Sequence, residues 1–177
     1  MKYILATALA LTPAIALAAG GSSSNPPTAT ATTTTCQEGY VYDAATKSCV
    51  VPQESNLIDD DARYEVVREL AYAGRYDDAQ TILGMMDAAD DRVMTYMGFT
   101  ERKLGNVDAA MTFYQAALTA NPDNILARSY MGQAYVEQGA IDLAQVQLSE
   151  IKARGGKQTW AAKSLEWAIQ SGKGFSY

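Results

Sequence analysis

Histidine is absent from the 177-residue chain. Its absence removes the commonest general base, the Ser-His and Cys-His nucleophile systems, and most zinc or haem ligation. Basic residues are few: fourteen Lys and Arg face twenty Asp and Glu, a formal charge of −6. An acidic chain carries no overall basic footprint for nucleic-acid phosphates, so no nucleic-acid partner is expected. Beyond Leu57 no run is long and apolar enough to span a bilayer. Phosphate chemistry is missing too. Gly155-Gly156-Lys157-Gln158 and Gly172-Lys173-Gly174 lack the glycine spacing and the Ser or Thr after Lys that a phosphate and Mg²⁺ need. Asp59-Asp60-Asp61 and Asp87/Asp90/Asp91 lack the alternation, glycine and closing Glu of a calcium loop, and read as acids in the first turns of helices. No metal, no cofactor and no enzymatic activity is expected. What remains, 48% apolar and 19% charged residues, lies inside the globular range.

The chain opens with one cation, Lys2, and an uncharged stretch from Ile4 to Leu17 that ends Ala16-Leu17-Ala18. A short apolar run closed by small residues in Ala-x-Ala spacing is the pattern of a secretory signal peptide, here 1–18. Thr7, Thr12 and Pro13 make it a poor membrane anchor. Without it the chain holds thirteen basic and twenty acidic residues, a charge of −7. The expected compartment is the periplasm or the exterior, with no stable membrane insertion after cleavage.

Residues 19–35 contain Gly, Ser, Thr, Asn, Pro and Ala and no large apolar side chain. They bury too little to offset their ordering entropy and read as a flexible linker. Residues 36–51 form two β-prone stretches around a polar turn, with Cys36 and Cys49 at the ends. In an oxidising compartment the two thiols have only each other, so a disulfide-closed β-hairpin follows. Closing such a loop contributes about 3 kcal/mol in the chain-entropy model. The spacing of Cys36, Gly39, Val41, Tyr42, Asp43, Thr46 and Cys49 resembles the last part of chitin-binding modules of the peritrophin type. That resemblance implies glycan contact through Tyr40 and Tyr42; the alternative is a structural clip. Residues 52–59 form a connector.

One phrase then occurs three times: Gly74-Arg75-Tyr76-Asp77-Asp78-Ala79, Gly105-Asn106-Val107-Asp108-Ala109-Ala110 and Gly139-Ala140-Ile141-Asp142-Leu143-Ala144. The copies lie 31 and 34 residues apart. The glycine ends one helix in a left-handed conformation, and the aspartate meets the first turn of the next. The alanine lets two helices approach closely. Helical patterns precede each glycine (Val66, Val67, Leu70, Ala73) and follow it (Ala79, Ile82, Leu83, Met86). Pro122-Asp123-Asn124 stops the second pair, and a last helix from Gln158 to Gln170 presents Trp160, Ala161, Leu165, Ala168 and Ile169 on one face. It reads as a cap for the final repeat, with a frayed tail at 172–177.

With Met97-Gly98, Ala110, Tyr114, Ala117 and Pro122 in the middle copy, and Met131-Gly132, Tyr135 and Ala144 in the third, the chain resembles the tetratricopeptide repeat family. The expected fold is all-α: a helix-turn-helix solenoid of about three such repeats with its capping helix over 60–171, preceded by the small hairpin. The resemblance implies that the first helix of each pair lines a concave face. The family's groove positions fall on Tyr64, Arg68 and Tyr72, on Arg92, Thr95, Phe99, Arg102 and Lys103, and on Ser129, Gln133 and Glu137. Arg68, Arg92, Arg102 and Lys103 are expected to form a basic cluster which, with Tyr64, Phe99 and Gln133, holds an extended acidic peptide. The function expected is an exported, non-catalytic adaptor in a bacterial envelope that binds a protein or peptide. The alternatives are a cell-wall or glycan-binding module using the Cys36–Cys49 loop, and self-association through an unfilled repeat edge.

Overall fold

The computed structural model describes residues 25–57 and 59–175. The expected signal peptide and the first part of the linker lie outside the described residues. In chain order come α1 (Ala31–Thr34), β1 (Val41–Asp43), β2 (Ser48–Val50), α2 (Asp60–Tyr72), α3 (Tyr76–Leu83), α4 (Asp91–Lys103), α5 (Val107–Ala120), α6 (Ile125–Glu137), α7 (Ile141–Ala153) and α8 (Trp160–Ser171). Helices α2 to α7 form three consecutive antiparallel pairs. α8 packs on both α6 and α7, in the place of the first helix of a further pair. It begins at Trp160 rather than Gln158, because Gly156–Gln158 form a 3-10 turn and Thr159 caps the helix through the Ala162 N–H.

Each pair is turned by the same local device. Gly74, Gly105 and Gly139 have φ of +80°, +91° and +76°, where a Cβ would be strained. The N–H of the following residue reaches back across the turn: Arg75 to Leu70 O, Asn106 to Glu101 O and Ala140 to Tyr135 O, at 2.8–2.9 Å. Those three residues then share almost one conformation, with φ of −84° or −85° and ψ of 60–66°. The first helices are capped differently. Asp59, Asp90 and Asn124 accept from backbone N–H groups of α2, α4 and α6, satisfying donors the helix leaves open.

Packing follows the repeated phrase. Ala79, Ala110 and Ala144 have no exposed surface, and Val67, Leu70, Ile82, Tyr114 and Tyr130 join them in the interior. Gly98 is needed for another reason: a Cβ there would lie 2.6 Å from Cε1 of Tyr114, so only glycine lets α4 meet that ring. Tyr114 is wholly buried, which pushes its hydroxyl up to about 12.

The hairpin is present as expected, with Val41 opposite Val50 and Tyr42 opposite Cys49, closed by the Cys36–Cys49 disulfide. It is not an isolated clip. Val41 is buried in the solenoid core. Arg75, at the corner between α2 and α3, donates to four of its neighbours' carbonyls: Thr32 (2.8 Å), Cys36 (3.3 Å), Gln37 (3.0 Å) and Tyr40 (2.9 Å). Gly39 N–H adds a bond to Asp78. The hairpin therefore covers the first repeat, as α8 covers the last.

Two expectations fail here. The stretch 19–35 is not a free linker from Asn25 onward: α1 packs on α2, and Thr32 is buried. Composition alone missed this because the order comes from remote polar groups, Arg68, Glu69 and Arg75, rather than from large apolar side chains in the segment. The tail is likewise not frayed as far as Phe175, whose ring lies 5.3 Å from Trp160 and 5.6 Å from Trp167.

Candidate functional site

The first helices of the pairs lie side by side, and their inner side chains form a run of aromatic rings. Tyr64 meets Tyr96 edge-on at 5.5 Å, Tyr96 meets Tyr130 at 6.0 Å, Tyr130 meets Phe99 at 4.7 Å and Phe99 stacks on Tyr72 at 5.9 Å. Hydroxyls bridge the rings, Tyr72 to Tyr130 at 3.0 Å and Tyr130 to Tyr96 at 3.4 Å. Such edge-on and offset contacts add stability beyond burial of area. Burial also pushes the Tyr96 hydroxyl well above the usual tyrosine range.

The expected groove residues are thus placed on one face, but most are covered. Tyr64, Arg68, Phe99, Arg102 and Gln133 are buried, while Arg92 and Lys103 are half-buried. The expected single basic cluster is two separate arrangements. Arg68 and Arg92 flank the Tyr64 ring at 5.8 and 5.0 Å, and Arg102 and Lys103 flank Phe99, both at 5.7 Å. The arginines already hold carboxylates: Arg68 pairs with Glu65 (2.7 Å), Arg92 with Asp90 (2.6 Å) and Asp61 (2.7 Å), Arg102 with Glu137 (2.5 Å). Paired charges of this kind have little left for an acidic ligand; Glu65 and Asp90 are near neighbours in the sequence, whereas Asp61 and Glu137 come from other helices and could not be read there. Lys103 is held down at about 8 by burial and, secondarily, by Arg102.

What covers the face is the chain itself. Arg68 Nη2 donates to the carbonyl of Asn25 at 2.5 Å. The buried Glu69 carboxylate accepts from the N–H and hydroxyl of Thr30 (2.7 and 2.8 Å) and from those of Thr33 (3.2 and 2.5 Å). From the other end, Phe175 N–H donates to Gln133 Oε1 at 3.3 Å and Lys103 Nζ donates to the Phe175 carbonyl at 2.9 Å. Between these two segments lies a hollow of about 430 Å³ lined chiefly by Pro26, Pro27, Tyr72, Ala73, Trp160 and Phe175. Sequence reasoning passed over Glu69, Arg75 and Phe175. Nothing in their spacing sets them apart from ordinary surface residues; Trp160 was visible, but only as part of a cap.

The contacts on this face are all with the protein's own polypeptide. Polar side chains of α2, α4 and α6 hold main-chain N–H and C=O groups, and aromatic rings receive apolar side chains. Among the described residues no group of three or more acidic or cysteine side chains is placed to hold a metal ion, and no helix is long and apolar enough to cross a membrane.

Residues 102–165, from the end of α4 into α8, match the tetratricopeptide repeat family model. No curated protein and no solved structure matches the chain. The stretch from Arg102 to Leu165 is therefore similar to tetratricopeptide repeats, in keeping with the helical solenoid it forms, and repeats of this kind suggest a protein–protein interaction module.

Proposed function

We propose that the protein is an exported, non-catalytic module that binds a protein or peptide partner on the concave face of its helix pairs, serving as an adaptor in a bacterial envelope. The observation that carries this reading is the hold of Arg68, Glu69, Lys103 and Gln133 on main-chain groups of Asn25, Thr30, Thr33 and Phe175. A face that grips main-chain groups of its own chain has the donors and acceptors to grip another. Export is supported by the Lys2-to-Ala18 pattern and by the Cys36–Cys49 bridge, which persists in oxidising compartments.

The glycan-binding alternative loses ground on one observation: the loop directs Val41 and its carbonyls at the solenoid and leaves Tyr40 and Tyr42 half-buried. A photo-crosslinking residue at Lys103 or Trp167, expressed in the producing cells, should trap one specific protein. Background products alone, together with retention of the intact chain on peptidoglycan or chitin, would reverse the choice.

A further inference from the structure

We propose that Asn25–Thr33 is a displaceable strap on the concave face, and that the partner replacing it is an uncharged, proline-containing segment, extended up to a short helical turn, with one large apolar side chain. The inference rests on the reading of that face as a peptide groove and gives the partner its chemistry.

The strap consists of Asn, Pro, Thr and Ala only. Its hold is polar: one bond from Arg68 at Asn25, four to Glu69 from Thr30 and Thr33, and at Thr32 an Arg75 bond to the carbonyl and a Tyr42 N–H bond to the hydroxyl. Thr32 is its only side chain classed as buried, so it brings little apolar area to the contact. What keeps it in place is tethering. The Cys36–Cys49 bridge and the Arg75 fork hold the chain immediately after it, and a short tether raises the effective concentration into the millimolar range. Peeling runs from Asn25 toward Thr35, breaks the Arg75 and Tyr42 bonds to Thr32 on the way, and stops at Cys36.

Three features select the replacement. The buried Glu69 accepts four hydrogen bonds and repels a carboxylate placed beside it. Arg68, Arg92 and Arg102 already have acidic partners, so an acidic chain would have to break ion pairs to be bound. Beside Pro26 and Pro27 the 430 Å³ hollow is walled by Tyr72, Trp160 and Phe175, a volume in the range of small-ligand pockets. Pro26, Pro27, Ala29 and Thr33 of the strap line the hollow and none carries a large side chain, whereas a large apolar residue in place of Ala29 would gain the burial the strap forgoes.

The test uses the full chain and three fluorescent peptides. They are residues 25–33 (Asn-Pro-Pro-Thr-Ala-Thr-Ala-Thr-Thr), the same with Ala29→Trp, and the same with Thr30→Asp and Thr33→Asp. The Ala29→Trp peptide should bind saturably and at least tenfold tighter than the parent, with loss of hydrogen-exchange protection at the protein's own Thr30–Thr34 amides; the acidic peptide should not bind. Placing Thr33→Asp, or Thr30→Asp with Thr33→Asp, in the protein sets carboxylates against Glu69 far from the helix core. Either variant should expose the strap amides and tighten the Ala29→Trp peptide at least tenfold. Continued protection in both variants, unchanged peptide affinity with the strap released, or preference for the acidic peptide would each overturn the proposal. If the cellular crosslink at Lys103 still forms, only the strap and its chemistry fall; if it too is lost, the groove reading falls.

Discussion

Arg75→Ala is the most telling single perturbation, because one guanidinium joins the hairpin, α1 and the first helix pair. Its side chain is 10% exposed and pairs with Asp78 at 2.6 Å. Of the four carbonyls it serves, those of Thr32 and Cys36 belong to buried residues, 3% and 7% exposed. Those of Gln37 and Tyr40 lie nearer water, which takes over as donor when the fork is removed. A buried acceptor left without a donor costs about 1–3 kcal/mol, so two of them, partly rewetted, cost about 2–4 kcal/mol. Urea denaturation under oxidising conditions should show a lower midpoint with an unchanged slope. Hydrogen exchange should quicken at Tyr40–Val50 before the helices respond. Arg75→Lys should recover little, since a point ammonium cannot span four carbonyls. A loss below about 0.5 kcal/mol, the scale of ordinary surface changes, would refute the role given to this residue.

Three further outcomes follow from the same geometry. Gly98→Ala sets a methyl 2.6 Å from the Tyr114 ring and 3.1 Å from the Ala110 carbonyl, and should destabilise by about 1–3 kcal/mol in thermal or urea melts; an unchanged midpoint would mean α4 and α5 are looser than described. Cys36→Ser with Cys49→Ser opens a loop whose ends are 13 residues apart and should cost about 3 kcal/mol, read as the difference in midpoint with and without reductant; equal midpoints would leave the clip without a stabilising role. Lys103, at about 8 in the fold against an ordinary 10.5, binds fewer protons folded than unfolded between those values. Its contribution therefore rises with pH across that window and is least favourable below about 8. The stability difference between wild type and Lys103→Met should shift toward wild type from pH 8 to 10, and a flat difference would show the group is not desolvated.

The sequence by itself determined the helix pairs, their turns and the closing helix α8. The Gly-x-x-Asp-x-Ala phrase specifies left-handed termination, first-turn charge and close helix approach within a few residues of chain, and all three act locally. The disulfide partners were determined in the same way, because Cys36 and Cys49 had no other choice. Of the positions expected in the groove, Tyr64, Phe99 and Gln133 lie buried among the chain's own side chains. That burial was not legible. That Arg102 is held by Glu137 and Gln133, or that the weakly hydrophobic Asn25–Thr33 lies ordered under Arg68 and Glu69, depends on residues 31 to 43 positions apart in the chain. Hydrogen bonds and ion pairs at such separations leave no period in a sequence, since each needs only one polar atom at one point in space. Only the stacking of the helices decides which atoms those are.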